Sequence, residues 1–201
     1  MDRASLESAA ANYSYLRGLL SIPAGVLLVV AGLSNTRWGP LDHAWVTWAV
    51  GGLMVLAGAA YLWINRYYTE TFGRITPSSR DRTRAAVTAA VGAALVAGAV
   101  SLDWNVDLPL TATTAVFAVV MFASYAVAMR PRPHHVAVWG TLVVVALLPI
   151  WGYVGPTARI NVGLMLVGVA TMVTGVLDHA ALERTFAPDR APDLGDGDVD
   201  A

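Results

Sequence analysis

The sequence has no cysteine and no lysine among its 201 residues. Without cysteine there is no disulfide, no thiolate metal site and no cysteine nucleophile. All thirteen basic residues are arginine. With abundant Ala, Val and Gly, this points to a GC-rich genome such as that of a high-GC bacterium, and it bears on codons, not on mechanism. Charge of both signs is scarce. Charged residues make up 13%, roughly half the soluble average of about 25%. A soluble domain of this size needs more polar surface around its core. The formal net charge of -1 lacks the basic excess of a nucleic-acid binder, so nucleic acid is not an expected partner. What the chain does have is apolar residues, 56% of the total, which excludes a disordered chain. Mean hydropathy is +0.56. Together these features indicate an integral membrane protein.

Crossing about 30 Å of hydrocarbon takes about 20 apolar residues in a helix. Six stretches qualify, at about 15–33, 44–64, 85–102, 108–129, 136–154 and 160–177. None alternates with the period of two of a barrel strand. The connections are short, so consecutive spans should run antiparallel. The predicted fold is therefore all-α: a polytopic transmembrane bundle of six helices arranged as three helical hairpins. It occupies 15–186, after an N-terminal segment 1–14 and before a tail 187–201. Asp2 and Glu7 spoil a basic leader, and Ala31-Gly32-Leu33 is a poor cleavage site, so the first stretch is expected to remain a span. In the tail, Asp196-Gly197-Asp198-Val199-Asp200 has the alternating carboxylates of a calcium loop but lacks its later glycine and glutamate. An acidic, solvated, disordered segment is the better reading.

Arginine placement predicts direction, since cytoplasmic flanks hold the positive excess. Arg3, Arg17, Arg66, Arg74, Arg80, Arg82, Arg84, Arg130, Arg132, Arg184 and Arg190 fall on one side; only Arg37 and Arg159 fall on the other. Both termini are expected in the cytoplasm, in a multi-pass protein of the plasma membrane. Aromatic belts are expected at Trp38, Trp45, Trp104, Trp151 and Tyr153 outside, and at Tyr15, Tyr61, Trp63, Tyr125 and Trp139 inside.

Helix association in lipid relies on close packing of small residues. The third span carries Ala86, Ala90, Ala94 and Gly98 at four-residue spacing, the second Gly51, Gly52 and Gly58, and the sixth Gly163, Gly168 and Gly175. These stripes are expected to face other helices of the same bundle; a homo-oligomer contact would use the same pattern. Pro23 and Pro149 are expected to kink their spans.

Chemistry is sparse. The middle of every span lacks Asp, Glu, Arg and His, which disfavours a buried proton relay or a voltage sensor. His134 and His135, in a basic inner loop, could approach Asp178 and His179, but adjacent histidines in such a loop are expected to be solvated. No metal and no cofactor is expected, and no bis-histidine haem set lies at matching depth in two spans. On the outer face Asp42, His43, Asp103, Asp107 and Arg159 form a candidate binding cluster for a cation or polar headgroup. They equally suit turn and cap roles, because Asp caps helices and closes turns. On the inner face Tyr67, Tyr68, Phe72 and Arg74 lie in a connection, 65–84, that offers a surface to a soluble partner. The competing reading is a helix extension whose tyrosines lie among lipid headgroups while its arginines hold anionic lipid. No glycine-rich phosphate loop or hydrolase motif appears. As catalytic candidates only Glu70 and Asp178 stand out, as acids that could protonate an isoprenoid substrate.

Two inner segments, Tyr67-Tyr68 through Phe72-Gly73-Arg74-Ile75 and Leu177-Asp178-His179 through Leu182-Glu183-Arg184-Thr185-Phe186, resemble uncharacterised six-span membrane proteins of GC-rich bacteria. The resemblance covers only those two short stretches. It implies no activity, only that the two segments matter, by packing together beneath the bundle.

Three functions remain in view. The leading one is a non-enzymatic membrane subunit or sensor acting through a protein partner at its cytoplasmic face. The second is a small transporter or channel for an apolar or weakly polar solute, with a cavity lined by Thr47, Ser124, Thr141 or Thr171. The third is an intramembrane enzyme on a lipid or isoprenoid substrate. Membrane lipids are expected partners in each.

Overall fold

The computed structural model describes residues 17–36, 43–72, 79–128 and 131–186, which are helical with no strand among them. A 3-10 turn, Gly18–Ser21, leads into α1 (Ile22–Ser34). Then follow α2 (Ala44–Phe72), α3 (Ser79–Asn105), α4 (Ala112–Ala128) and α5 (Pro133–Leu147). A second 3-10 turn, Pro149–Tyr153, precedes α6 (Pro156–Phe186). The segments expected at 1–14 and 187–201, with Asp42 and Arg74, lie outside the described residues.

Among the described residues, three helices contain stretches long and apolar enough to cross a membrane: Trp45–Thr71, Arg82–Asn105 and Pro156–Arg184. The other apolar helices are shorter, at Gly18–Ser34, Ala112–Val127 and Pro133–Leu147. At about 1.5 Å of rise per residue, the 31 residues of α6 reach well past the hydrocarbon depth while the 15 of α5 fall short of it.

Proline and polar chemistry account for where these helices stop. The expected kink at Pro149 is instead a break. Leu148 is extended, at φ -65° and ψ 139°, as the residue before a proline prefers to be, and α5 ends one residue earlier. Pro23 is likewise no kink. It sits in the first turn of α1, where a missing N–H costs nothing. Pro133 and Pro156 open α5 and α6 in the same way. Residues 65–72, read as part of a connection, continue α2 as a helix extension.

Helix α6 is central. It packs on α1, α3, α4 and α5, most extensively on α1, while α2 packs on α1 and the first 3-10 turn. The α1–α6 contact is made by glycines seven residues apart on each chain segment. A Cβ on Gly25 would lie 2.7 Å from the Gly168 carbonyl oxygen, and one on Gly168 would lie 2.5 Å from that of Gly25. Gly18 faces the Gly175 backbone in the same manner, and a Cβ on Gly32 would meet the Asn161 carbonyl oxygen at 2.5 Å. No Cβ fits at these glycines, so the two backbones pack directly, as small residues allow in helix pairs, with Met165, Met172 and Val29 beside them.

The expected stripe on α3 behaves otherwise. Ala86, Ala90, Ala94 and Gly98 are exposed, and nothing lies within 4 Å of a Cβ on Gly98. Helix α3 meets α4 on a neighbouring face, where a Cβ on Gly92 would come within 2.7 Å of Val120. On α2, Gly51, Gly52 and Gly58 are also exposed with open space around them. These corrections share one cause: a row of small residues shows that a face is smooth, not which surface lies against it.

The main apolar core is built from Ala118, Trp139, Leu142, Val167 and Ala170 of α4, α5 and α6. Trp139 and Trp151 are therefore buried and leave the aromatic belts expected to hold them. Trp48, 82% exposed, and Trp63 project from α2 instead.

Gly168→Ala should destabilise the protein by about 1–3 kcal/mol, the usual cost of overpacking, because backbone on both sides must separate. Gly58→Ala should be neutral or stabilise by about 0.5–1 kcal/mol, since a helix-interior glycine loses entropy and this one meets nothing. Denaturant titration in detergent micelles measures both; equal effects would contradict the seam.

Candidate functional site

Two ends of the bundle carry its polar chemistry. At the end opposite most of the arginines, Asp103 at the close of α3 is fully buried. Its Oδ1 accepts the Ala112 N–H at 2.8 Å and its Oδ2 the Thr113 N–H at 2.7 Å. It thus satisfies two of the orphan donors at the start of α4, as a capping aspartate does within its own helix. Arg159 is also fully buried. Its guanidinium donates to the Leu108 carbonyl at 2.6 Å, the Leu110 carbonyl at 3.3 Å and Asp107 Oδ1 at 3.1 Å. Asp107 itself is mostly exposed, and so is His43. The candidate outer cluster is therefore divided: Asp103 caps α4, Arg159 and Asp107 fasten the loop before it, and His43 stands apart. The turn-and-cap reading describes Asp103 and Arg159.

The arginine-rich end is different. His134 and His135 are the second and third residues of α5. Arg132 is extended ahead of them, at φ -83° and ψ 160°, as pre-proline geometry favours. The expectation of solvated histidines is overturned at His135, which is fully buried. Its Nδ1 accepts the Arg132 backbone N–H at 3.0 Å, and the His135 N–H donates back to the Arg132 carbonyl at 3.0 Å. A neutral imidazole that accepts at Nδ1 carries its proton on Nε2. That Nε2–H donates to Asp178 Oδ1 at 2.9 Å, and His134 Nε2 lies 2.9 Å from the same oxygen. Tyr125 stacks on the His135 ring, with centroids 3.9 Å apart. Asp178 is thus a buried carboxylate held by two imidazoles of α5, one of which stacks on Tyr125 of α4. Gly18 closes over it: a Cβ there would lie 2.8 Å from Asp178 Cβ.

One residue on, and about 100° round α6, His179 turns toward α2. The Tyr68 hydroxyl accepts the Leu19 N–H at 3.2 Å and lies 3.0 Å from His179 Nδ1. His179 Nε2 lies 3.1 Å from Glu183 Oε1, a carboxylate that only accepts, so in the neutral ring Nε2 carries the proton and Nδ1 accepts from the Tyr68 hydroxyl. Arg17 stacks over the Tyr68 ring and bonds Asn65 Oδ1. Tyr68 and Leu182 form a second, fully buried apolar cluster. The two inner segments meet at these side chains. Tyr68 consequently lies neither among headgroups nor on an open surface, while Tyr67 is half-buried beside it. The Phe72 side chain is outside the described set.

Glu70 is exposed and paired with Arg66 Nε at 2.6 Å, four residues earlier on α2. The two candidate acids therefore occupy unlike settings, one solvated and one buried under several donors. Asn65 and the glycines Gly18 and Gly25 were not singled out by sequence, and Tyr125 was read only as part of the inner aromatic belt. Only the glycines left a legible signal, the spacing Gly18, Gly25, Gly32 against Gly168, Gly175.

His134, His135 and Asp178 bring three potential metal-ligand atoms within 4.8 Å of one another. A metal on His135 Nε2 would need that nitrogen's lone pair and would move the proton to Nδ1, directly against the Arg132 N–H. His134 and Asp178 suit a metal; His135 as placed suits a proton. The arrangement can hold and pass protons around Asp178, with His134 as its partly exposed member.

Asp178→Ala should cost at least about 3 kcal/mol, because it leaves several buried donors without an acceptor. Glu70→Ala should cost less than about 1 kcal/mol, as for exposed pairs generally. Nitrogen-15 spectra of the histidine rings should show His135 protonated at Nε2. An Nδ1–H signature together with stoichiometric zinc uptake would overturn that assignment.

Comparison with known proteins finds no family model, no curated protein and no solved structure that matches this chain, so its function is argued from these residues.

Proposed function

We propose that the chain is a six-span integral membrane protein of the plasma membrane. Its helices form three hairpins, and both termini lie in the cytoplasm. We infer that it acts as a non-enzymatic subunit or sensor, through a partner at the arginine-rich face. The observation that carries this reading is the buried network on α6. Asp178 joins it to α5, whose His135 stacks on Tyr125 of α4, and His179 joins it to α2 and the first 3-10 turn. The network reaches the surface at His134 and at Glu183, which is 56% exposed. A partner that engages this rim acts on every element tied to α6 through one or two hydrogen bonds.

Other features support the membrane assignment. Helices α2 and α3 turn most of their apolar surface outward, where water would make it costly. Arg66, Arg80, Arg82, Arg84, Arg132 and Arg184 lie toward one end, and the positive-inside rule then sets the direction.

The competing readings find less support. Thr171 is buried and donates to the Val167 carbonyl, Ser124 donates to that of Val120, and Thr47 and Thr141 are exposed. These groups face different surroundings, which weighs against a shared solute path. Protonation of a lipid substrate by Glu70 with Asp178 would need the two acids at one place.

The natural absence of cysteine allows a direct test of topology. In intact cells Asp107→Cys should react with a membrane-impermeant maleimide, and Arg80→Cys only after permeabilisation. The opposite pattern, or reaction of both from outside, refutes the assignment. After mild detergent extraction the chain should elute with a stoichiometric partner that Glu183→Lys displaces. A monodisperse monomer from both proteins would remove the partner reading.

A further inference from the structure

An elongated groove of about 640 Å³ lies between α3 and α4, within the range of about 300–1,000 Å³ usual for ligand sites. Its walls are apolar along nearly their whole length, from Val96 and Phe117 to Met121, and alanines such as Ala89 and Ala93 leave the space. At the arginine-rich end the groove does not stop. Arg84 and Thr88 also line an adjoining recess with Ser79, Arg80 and Thr83. The far end, at Ala97 and Phe117, carries no charge.

Its dimensions select an occupant. From Arg84 to Ala97 helix α3 rises about 20 Å, a little more than one leaflet, which is half of the roughly 30 Å core. Spread over that length, the 640 Å³ give a cross-section of about 30 Å². That leaves room for one hydrocarbon chain along the groove. The single charged end asks for an anionic head. We propose that the groove binds one acyl chain of an anionic phospholipid from the cytoplasmic leaflet, with the phosphate on Arg84 and Arg80. This rests on the membrane reading above but not on the partner reading. Arginine supplies the bidentate donors that phosphate takes, and the small walls of α3 let the chain lie along the helix. The lipid then covers the exposed seam between α3 and α4 and makes the bundle sensitive to the charge of its leaflet.

The test uses the full chain in nanodiscs with a photoactivatable acyl chain carried on phosphatidylglycerol or phosphatidylcholine. Labelling should map to peptides containing Ala93 and Met121 and should favour phosphatidylglycerol. Arg84→Gln should reduce that preference about fivefold, and Arg80→Gln with Arg84→Gln about 30-fold, from the usual contribution of a basic residue at an anionic surface. Ala93→Phe, at an exposed position, should fill the groove and abolish labelling while the chain stays in carbonate-washed membranes. Undiminished labelling of a retained Ala93→Phe protein, or equal labelling by both lipids, overturns the proposal alone. Cross-links between copies at Ala93 would overturn it in favour of a second chain. Loss of the protein from washed membranes would overturn the membrane reading as well.

Discussion

The contact between α1 and α6 is the constraint from which the rest of the fold follows. Two backbones approach so closely at Gly25 and Gly168 that neither helix tolerates a Cβ there. Such an approach fixes axial register as well as distance, because a shift by one residue would bring Val or Leu into the seam. Register in turn seats Gly18 against Gly175 and over Asp178. The 3-10 turn before α1 thus sits against α6 in the same register as Gly25, about two turns further along. Met165, Met172 and Val29 pack beside the glycines, so the backbone contact is bordered by side chains that leave little free space.

The two buried aspartates show how the same side chain serves opposite ends. Asp103 accepts from backbone N–H groups at the start of α4; those donors cannot titrate, so the arrangement is fixed whatever the conditions. Asp178 accepts from the two imidazoles that open α5. They are held unequally: His135 is fully buried with its Nδ1 accepting the Arg132 backbone N–H, while the His134 side chain is 21% exposed.

Six apolar helices at nearly the expected places were legible in the sequence, because hydropathy over a window depends on composition alone. Their ends were less so. Pro149 breaks α5 and Pro156 starts α6, whereas a hydropathy window averages across such residues. The capping role of Asp103 was readable, since aspartate beside a turn has few other uses. The burial of His135 was not. A loop rich in Arg, Pro and His reads as solvated, and only the approach of α6 and Tyr125 buries it. Small residues misled for a related reason. The four-residue stripe on α3 looked like an interface and is exposed, while the seven-residue glycine rows on α1 and α6 carry the closest contact. The informative signal was the match in spacing between two segments, which a search for stripes within one segment does not detect.

Centre and periphery then divide the physical tasks. Helix α6 with α1, α4 and α5 holds the buried polar groups and the close backbone seam. Helices α2 and α3 expose apolar surface over most of their length. Surface of that kind is stable only against another apolar phase, so the conformations of α2 and α3 depend on what surrounds them more than those of the centre do. The two helices are nevertheless tied to the centre at definite points: α2 through Tyr68 and His179, α3 through Asp103 and the Gly92 contact. A change in the surrounding phase thus acts on the loosely held helices and reaches α6 through a few named bonds. On α2 that bond ends one residue away from Asp178. The Tyr68–His179 hydrogen bond thus ties α2, whose apolar stretch is the least buried of the three long ones, to α6, whose stretch is the most buried.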